Sequence, residues 1–194
     1  MILAIYNYGS TVYGTNGINS DQDYIVIVKS EDDKETVNKF FQDNADLNIY
    51  TLEEWNEKKL NMDVDYLECM FIRPCSYEGE LDLTVELDYD KVNESIAHTA
   101  SNSWVKCKKK LTVEKDCERI GRKSMWHSLR ILMFGIQIML LGKITDYSCA
   151  NFLYEDIVNG EHNWAYLKEK YQPVYNNLHS QFKLAYEFVK ITKK

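Results

Sequence analysis

The residues with the clearest chemical potential lie near the amino terminus, where small residues precede paired carboxylates. Gly9 and Ser10 follow an apolar run, and Asp21 and Asp23 come directly before a second apolar run. A glycine lets the backbone approach a ligand closely, and a serine here can cap a helical turn whose free N–H groups favour a phosphate. We therefore expect Gly9 and Ser10 to form a phosphate-binding turn.

The two aspartates predict a site for divalent cations. Asp21 and Asp23 lie two residues apart where a strand is expected to begin, so their side chains should point to one face. Carboxylate oxygens suit Mg²⁺ or Mn²⁺, and two such ions roughly 3.5–4 Å apart can neutralise a triphosphate and activate an attacking hydroxyl. Each motif alone is typical of a turn or a solvated loop, so the prediction depends on their order and spacing.

The order of these motifs resembles the signature of the DNA polymerase beta-like nucleotidyltransferase superfamily. The fuller pattern, Gly9-Ser10-x-x-Tyr13-Gly14-Thr15 with Ser20-Asp21-x-Asp23, resembles the RlaP-like subfamily, which is associated with RNA repair. The resemblance implies a metal-dependent enzyme that moves a nucleoside monophosphate from a nucleoside triphosphate such as ATP to an acceptor hydroxyl. It also implies that the acceptor is the end of an RNA, such as a damaged tRNA.

Later segments extend the resemblance. Asp46 leads an apolar strand like the family's third acidic residue, which implies that it is a third metal ligand and helps to deprotonate the acceptor. Residues 64–71 resemble the family's next helix, and residues 159–161 resemble its late Gly-Glu turn. Asp63 and Asp65 are rival carboxylates, but their helical setting favours a helix cap and a surface charge.

A group of basic residues on a predicted helix provides candidate substrate contacts. Lys123, His127 and Arg130 share one helix face with Arg119 and resemble the family's Lys-x-x-x-His-x-x-Arg helix. The resemblance implies that all three bind substrate, with Lys123 as a clamp on the triphosphate. A solvated basic face remains an alternative, and an isolated histidine is more often structural.

A second basic group has the same two interpretations. Four lysines close together in the sequence favour a mobile loop that contacts phosphates, although a plain surface charge run remains the default; they are Lys106, Lys108, Lys109 and Lys110.

Composition and charge favour a folded protein of two modules. The chain has 194 residues, 45% of them apolar, which is enough for one large core or two small ones. Residues 1–95 hold 21 acidic and 7 basic residues, whereas residues 96–194 hold 9 acidic and 16 basic residues. This asymmetry predicts an acidic catalytic domain suited to cations and a basic domain suited to phosphates or an acidic partner, although solvated faces could also differ in this way.

Hydrophobic periodicity predicts an α+β fold, with a small polymerase beta-like sheet module followed by a helical bundle. Short apolar runs predict strands, and longer amphipathic segments predict helices. Residues 81–87 alternate in polarity and fit either an edge strand or a connector. Pro173 should interrupt the last helix or separate two helices. The predicted strands are 2–8, 24–28 and 47–51, and the predicted helices are 32–44, 52–60, 116–141, 147–159 and 163–189.

The remaining features indicate a cytoplasmic protein without membrane association. Five scattered cysteines without a Cys-x-x-Cys pair indicate reduced thiols. Residues 1–6 are too short for a signal peptide, and residues 131–141 fall short of the ~20 apolar residues of a membrane helix. Two prolines and many Lys, Asn and Tyr residues are typical of an AT-rich genome such as that of a phage.

Two other function classes remain open at this point. An antitoxin-like domain could nucleotidylate or mask a partner protein. A pseudoenzyme could bind nucleotide without turnover, although the intact acidic pair argues against it.

Overall fold

A computed structural model describes residues 1–18, 20–41, 45–79, 81–114 and 117–192. The chain divides into two compact units, Met1–Leu87 and Asp88–Lys194. Residue 95, where we divided the sequence by charge, lies inside the first helix of the second unit, so the structural division comes before the change in charge. The predicted α+β class, with a C-terminal helical region, is confirmed.

The first unit is built on a four-stranded sheet with the order β3-β2-β1-β4. Strand β1 spans Ile2–Tyr8, β2 spans Asp23–Val28, β3 spans Asp46–Thr51 and β4 spans Ser76–Tyr77. Strand β1 is antiparallel to β2 and β4, whereas β2 and β3 are parallel. The first three strands were predicted from their apolar runs. The short β4 was not, and the alternating residues 81–87 form a connector.

Four helices accompany this sheet: α1 (Gly9–Tyr13), α2 (Glu31–Phe41), α3 (Leu52–Asn61) and α4 (Val64–Met70). A capping box starts α3, because the Thr51 hydroxyl accepts from the Glu54 N–H at 3.2 Å while the Thr51 N–H donates to the Glu54 carboxylate at 2.7 Å. This cap fixes the point at which the chain turns from β3 into the helix.

The two faces of the sheet carry different cores. Val26 and Val28 pack with Val37 of α2 on one face. On the other face, Tyr6 stacks on Trp55 of α3 with ring centroids 6.2 Å apart, and Trp55 contacts Tyr66 of α4 at 5.5 Å. Strand alternation puts Asp23 on this second face, two residues before the buried Ile25.

The second unit is helical. Helix α5 spans Tyr89–Lys109, α6 spans Glu118–Leu141 and α7 spans Trp164–Thr192. Gly142 directly follows residue 141, the predicted end of this helix, and ends α6 in the left-handed conformation with φ 72°. The predicted helix at residues 147–159 is instead a short 3₁₀ turn followed by a π-helical turn.

Helix α7 continues through Pro173, where an interruption was expected. A proline removes one hydrogen bond, but buried residues on both sides of it keep the two halves in one helix; they are Leu167, Tyr171, Leu178 and Phe182.

Helix α6 forms the core of the second unit. It contains an 18-residue window that is long and apolar enough to cross a membrane by length and composition alone, yet 67% of that window is buried inside the protein. Leu129, Ile131 and Leu132 are fully buried within it. These properties are those of a core helix.

Candidate active site

Strand register places two of the predicted carboxylates side by side. Asp23 and Asp46 are the first residues of β2 and β3, and they are partners in the parallel ladder. The Asp46 N–H donates to the carbonyl oxygen of Gln22 at 2.9 Å, which fixes this register. Because paired residues of neighbouring strands project to the same face, both carboxylates extend from one face of the sheet.

Gly9 lies directly against Asp23. A Cβ atom at Gly9 would be 1.9 Å from Asp23 Oδ2 and 2.5 Å from Asp23 Cγ. The backbone of Gly9 also has a positive φ of 62°, which L side chains rarely adopt. Glycine is therefore required here both for its conformation and for the space that it leaves to the carboxylate.

Ser10 does not cap α1, contrary to our expectation. The helix begins at Gly9, so Ser10 is already inside the first turn, and the capping position belongs to Tyr8, which makes no side-chain capping bond. The group that Ser10 presents to the site is its backbone N–H, which lies 3.4 Å from Asp23 Oδ2. The turn thus approaches the carboxylate through its backbone.

A buried contact that the sequence did not predict anchors α1. The Tyr13 hydroxyl donates to the Glu68 carboxylate of α4 at 2.6 Å, and Glu68 is 2% exposed. Tyr13 is the buried residue of this five-residue helix, and its ring meets Tyr8 edge-on at 6.2 Å. Burial, followed by the nearby Glu68 charge, raises the pKa of Tyr8 well above its usual value. Because a helix this short is unstable alone, its position depends on such contacts.

One feature of the sequence could have indicated the contact between Tyr13 and Glu68. Glu68 is an acidic residue within an otherwise largely apolar helical segment, and such residues are rarely buried without a partner. We recognised the segment but assigned Glu68 no role.

Asp21 lies just outside the strand that carries Asp23. Strand β2 begins at Asp23, so the alternation rule that would place Asp21 on the same face does not apply to it, and its side chain is exposed. In the described part of the chain, no group of three or more His, Cys, Asp or Glu side chains is arranged to hold a metal ion. The structure thus brings together Asp23 and Asp46, and leaves Asp21 outside the strand.

The rival carboxylate Asp65 belongs to a structural ion pair rather than to the surface. It accepts from the Tyr50 hydroxyl at 2.9 Å and pairs with Lys58 at 2.9 Å. Asp63 occupies the N-cap position of α4 without a side-chain capping bond. Desolvation opposes the charge of Lys58, but its contacts with Asp65 prevail and raise its pKa.

The basic face of α6 is exposed at its start and buried farther along. Lys123 is exposed and His127 is partly exposed, whereas Arg130 is 2% exposed. The Arg130 guanidinium lies 4.6 Å over the Trp126 ring, and its Nη2 is 2.8 Å from His127 Nδ1. Aromatic packing therefore draws the Arg130 side chain into the core, and substrate binding by Arg130 stays a prediction.

The predicted lysine loop is helical instead. Lys106, Lys108 and Lys109 form the last turn of α5, where cations complement the helix dipole. Lys109 and Lys110 pair with Glu114 in the π-helical turn that follows, and these contacts lower the pKa of Glu114 to about 2.

Comparison with known proteins identifies the family. Residues 2–107 match the family model described as a nucleotidyltransferase domain, which covers the first unit and most of α5. No curated protein and no solved structure gives a significant match. Since the matched segment is more than half of the chain, the protein belongs to the nucleotidyltransferase domain family, whose members transfer a nucleoside monophosphate from a nucleoside triphosphate.

Proposed function

We propose that the protein transfers a nucleoside monophosphate to a hydroxyl at the end of an RNA, such as a damaged tRNA. The observation that carries this proposal is the close approach of Asp23 to Gly9 and Ser10, next to Asp46 in the sheet. It puts the backbone of a small-residue turn and two carboxylates within one small region, as transfer from a triphosphate requires.

Gly9 and Ser10 would bind the outer phosphates of the donor. The Ser10 N–H is 3.4 Å from Asp23 Oδ2, longer than an ordinary N–H···O hydrogen bond. Such a weak contact can be exchanged for a phosphate oxygen at little cost. Tyr13 holds the turn in place through its hydrogen bond to Glu68 of α4.

The carboxylates fit a divalent cation by the chemistry of their oxygen atoms. Asp23 and Asp46 present oxygen donors from one sheet face, and the missing Cβ of Gly9 leaves room for the Asp23 carboxylate. Asp21, Asp23 and Asp46 would hold Mg²⁺ or Mn²⁺, which would supply positive charge for the triphosphate and the leaving pyrophosphate. Asp46 is exposed on the edge strand β3 and would accept the proton of the acceptor hydroxyl.

An RNA acceptor is supported by the resemblance to the RlaP-like subfamily and by charge. Residues 88–194 hold 17 basic and 12 acidic residues, whereas residues 1–87 hold 6 basic and 18 acidic residues. A basic unit suits a phosphate backbone. Exposed Lys123 is the residue that we assign to clamping a phosphate.

The deciding experiment follows a label from the donor. The protein is incubated with each α-labelled nucleoside triphosphate, Mg²⁺ or Mn²⁺, and either total RNA or lysate. We expect label in RNA. Label in a protein band would support the antitoxin-like alternative, and label in neither would overturn the proposed transfer reaction.

Substitution of the carboxylate supplies the control. Asp23→Asn should lower incorporation at least ~100-fold, the scale of losing one group that stabilises transition-state charge, with the fold intact. Asp32→Asn is the matched variant, because Asp32 is an exposed carboxylate in the first turn of α2. Asp21→Asn tests the third ligand, and full activity in that variant would remove Asp21 from the site.

A further inference from the structure

A contact between two side chains of α6 gives them roles that their sequence spacing does not reveal. Arg130 Nη2 lies 2.8 Å from His127 Nδ1. The Arg130 guanidinium carbon is 4.6 Å from the centre of the Trp126 ring and 5.5 Å from the centre of the Phe134 ring. Because Arg130 is 2% exposed and lies against two aromatic rings, its guanidinium is fixed in place.

The chemistry of the two groups determines where the imidazole carries its hydrogen. A guanidinium has only N–H donors, so His127 Nδ1 must be the acceptor. A neutral imidazole that accepts at Nδ1 carries its hydrogen on Nε2. Protonation at Nδ1 would turn the hydrogen bond into two opposed N–H groups and would set a second positive charge beside Arg130.

The surroundings also favour the neutral form of His127. Burial, with the charges of Arg130 on the same helix and Lys106 on α5, lowers the pKa of His127 to about 3. Within the described residues, the His127 side chain is hydrogen-bonded to Arg130 through Nδ1. As a whole residue His127 is partly exposed, and exposed Lys123 lies one turn earlier on the same face.

We propose that Arg130 is a positioning residue that fixes His127 as a neutral imidazole, and that the Nε2–H of His127 donates a hydrogen bond to a phosphate oxygen of a substrate. This inference rests on the proposed function. Two charged groups act on His127, namely Arg130 and Lys106, and both are cationic. An anion is therefore the complementary ligand. His127 is then neither an acid nor a base in the reaction, since Nδ1 is occupied and Nε2 already holds its hydrogen.

The first test is spectroscopic and needs no variant. Long-range ¹H–¹⁵N spectra of the ¹⁵N-labelled full chain distinguish the two neutral tautomers and the imidazolium. We expect His127 to show the Nε2–H tautomer and no titration between pH 5 and 8, the range in which an ordinary histidine changes charge. An Nδ1–H tautomer, or a midpoint near the ordinary value, would overturn the proposal. This result does not depend on whether the protein turns over any substrate.

The second test measures phosphate binding with two probes, a nucleoside triphosphate with Mg²⁺ and a single-stranded RNA oligonucleotide. His127→Phe removes the donor and should weaken binding of one probe by about tenfold, as expected for a hydrogen bond to a charged group. His127→Gln keeps an N–H donor and should restore most of the affinity. The probe that loses affinity identifies the source of the phosphate, and wild-type affinity for both probes in His127→Phe would overturn the phosphate contact.

Arg130→Met then separates positioning from simple packing. The variant keeps bulk beside Trp126 but removes the donor to Nδ1, so the pKa of His127 should rise and phosphate binding should become tighter as pH falls from 8 to 5.5. Wild-type affinity should stay flat over this range. A pH-independent affinity in a folded Arg130→Met variant would contradict the positioning role, and if that variant does not fold, the wild-type spectrum and the His127 variants still decide the proposal.

Discussion

Replacing Gly9 with alanine tests the geometry of the candidate active site most directly. The added Cβ would lie 1.9 Å from Asp23 Oδ2, whereas ordinary contact of a Cβ begins at 3.4 Å. The carboxylate, the turn or both must therefore move by about 1.5 Å, and a 1 Å misplacement of a catalytic group can cost roughly 100-fold in rate. We expect Gly9→Ala to lower kcat/KM for nucleotide transfer at least ~100-fold.

The same substitution also carries a backbone cost. Gly9 has a φ of 62°, and a residue with a Cβ in this left-handed region loses roughly 1–2 kcal/mol. In a unit of this size, 1 kcal/mol corresponds to a decrease in melting temperature of about 4–8 °C. A loss of stability alone would therefore not show that the clash with Asp23 exists.

Gly79→Ala provides the control that separates the two effects. Gly79 has a φ of 81°, and a Cβ at that position would meet nothing within 4 Å. This variant should show a similar decrease in melting temperature, measured by calorimetry, but near wild-type kcat/KM in the label-transfer assay. The reasoning is refuted if Gly9→Ala keeps wild-type activity, or if the two variants lose activity to the same extent.

Three further predictions concern the surroundings of the site. Tyr13→Phe removes the hydroxyl that donates to buried Glu68, so it should lower the free energy of unfolding by roughly 1–3 kcal/mol. It should also raise KM for the triphosphate more than it lowers kcat. Unchanged stability and KM would show that this hydrogen bond does not hold α1 in place. In steady-state kinetics at fixed salt, Lys123→Ala should lower kcat by ~100-fold, whereas Lys108→Ala should mainly raise KM for the acceptor. Wild-type kinetics in Lys123→Ala would show that this face of α6 is a solvated surface. Finally, His127 takes a proton near pH 6.5 in the unfolded chain but at about 3 in the folded one, so it should make stability fall as pH decreases through this window. Urea denaturation at pH 4 and pH 7 should show a smaller difference for His127→Gln than for wild type, and an equal difference would contradict the assignment.

The local features of the protein could be predicted from its sequence. The strands β1, β2 and β3 follow from runs of apolar and β-branched residues, and the end of α6 follows from Gly142. The family could also be predicted, because the order of Gly9-Ser10 and Asp21-x-Asp23 is a linear pattern. Such features depend on neighbours within a few residues, so the amino-acid sequence is sufficient to predict them.

Contacts between distant segments needed the tertiary structure. Strand register decides that Asp23 lies beside Asp46, and the start of β2 at Asp23 leaves Asp21 outside the strand. The hydrogen bond between Tyr13 and Glu68 joins residues 55 positions apart, which no local pattern reveals.

Arg130 shows the same limit on a single helix. Helical spacing correctly places it on one face with Lys123 and His127, but spacing cannot tell whether a face is covered. Packing of Trp126 and Phe134 around the guanidinium decides that Arg130 is buried and bonded to His127, while Lys123 stays in solvent.

The sequence by itself determined which residues form the motifs and elements, because periodicity and turn chemistry are local. Only the tertiary structure decided which of these side chains meet and which remain accessible, because burial depends on what the rest of the chain packs against them.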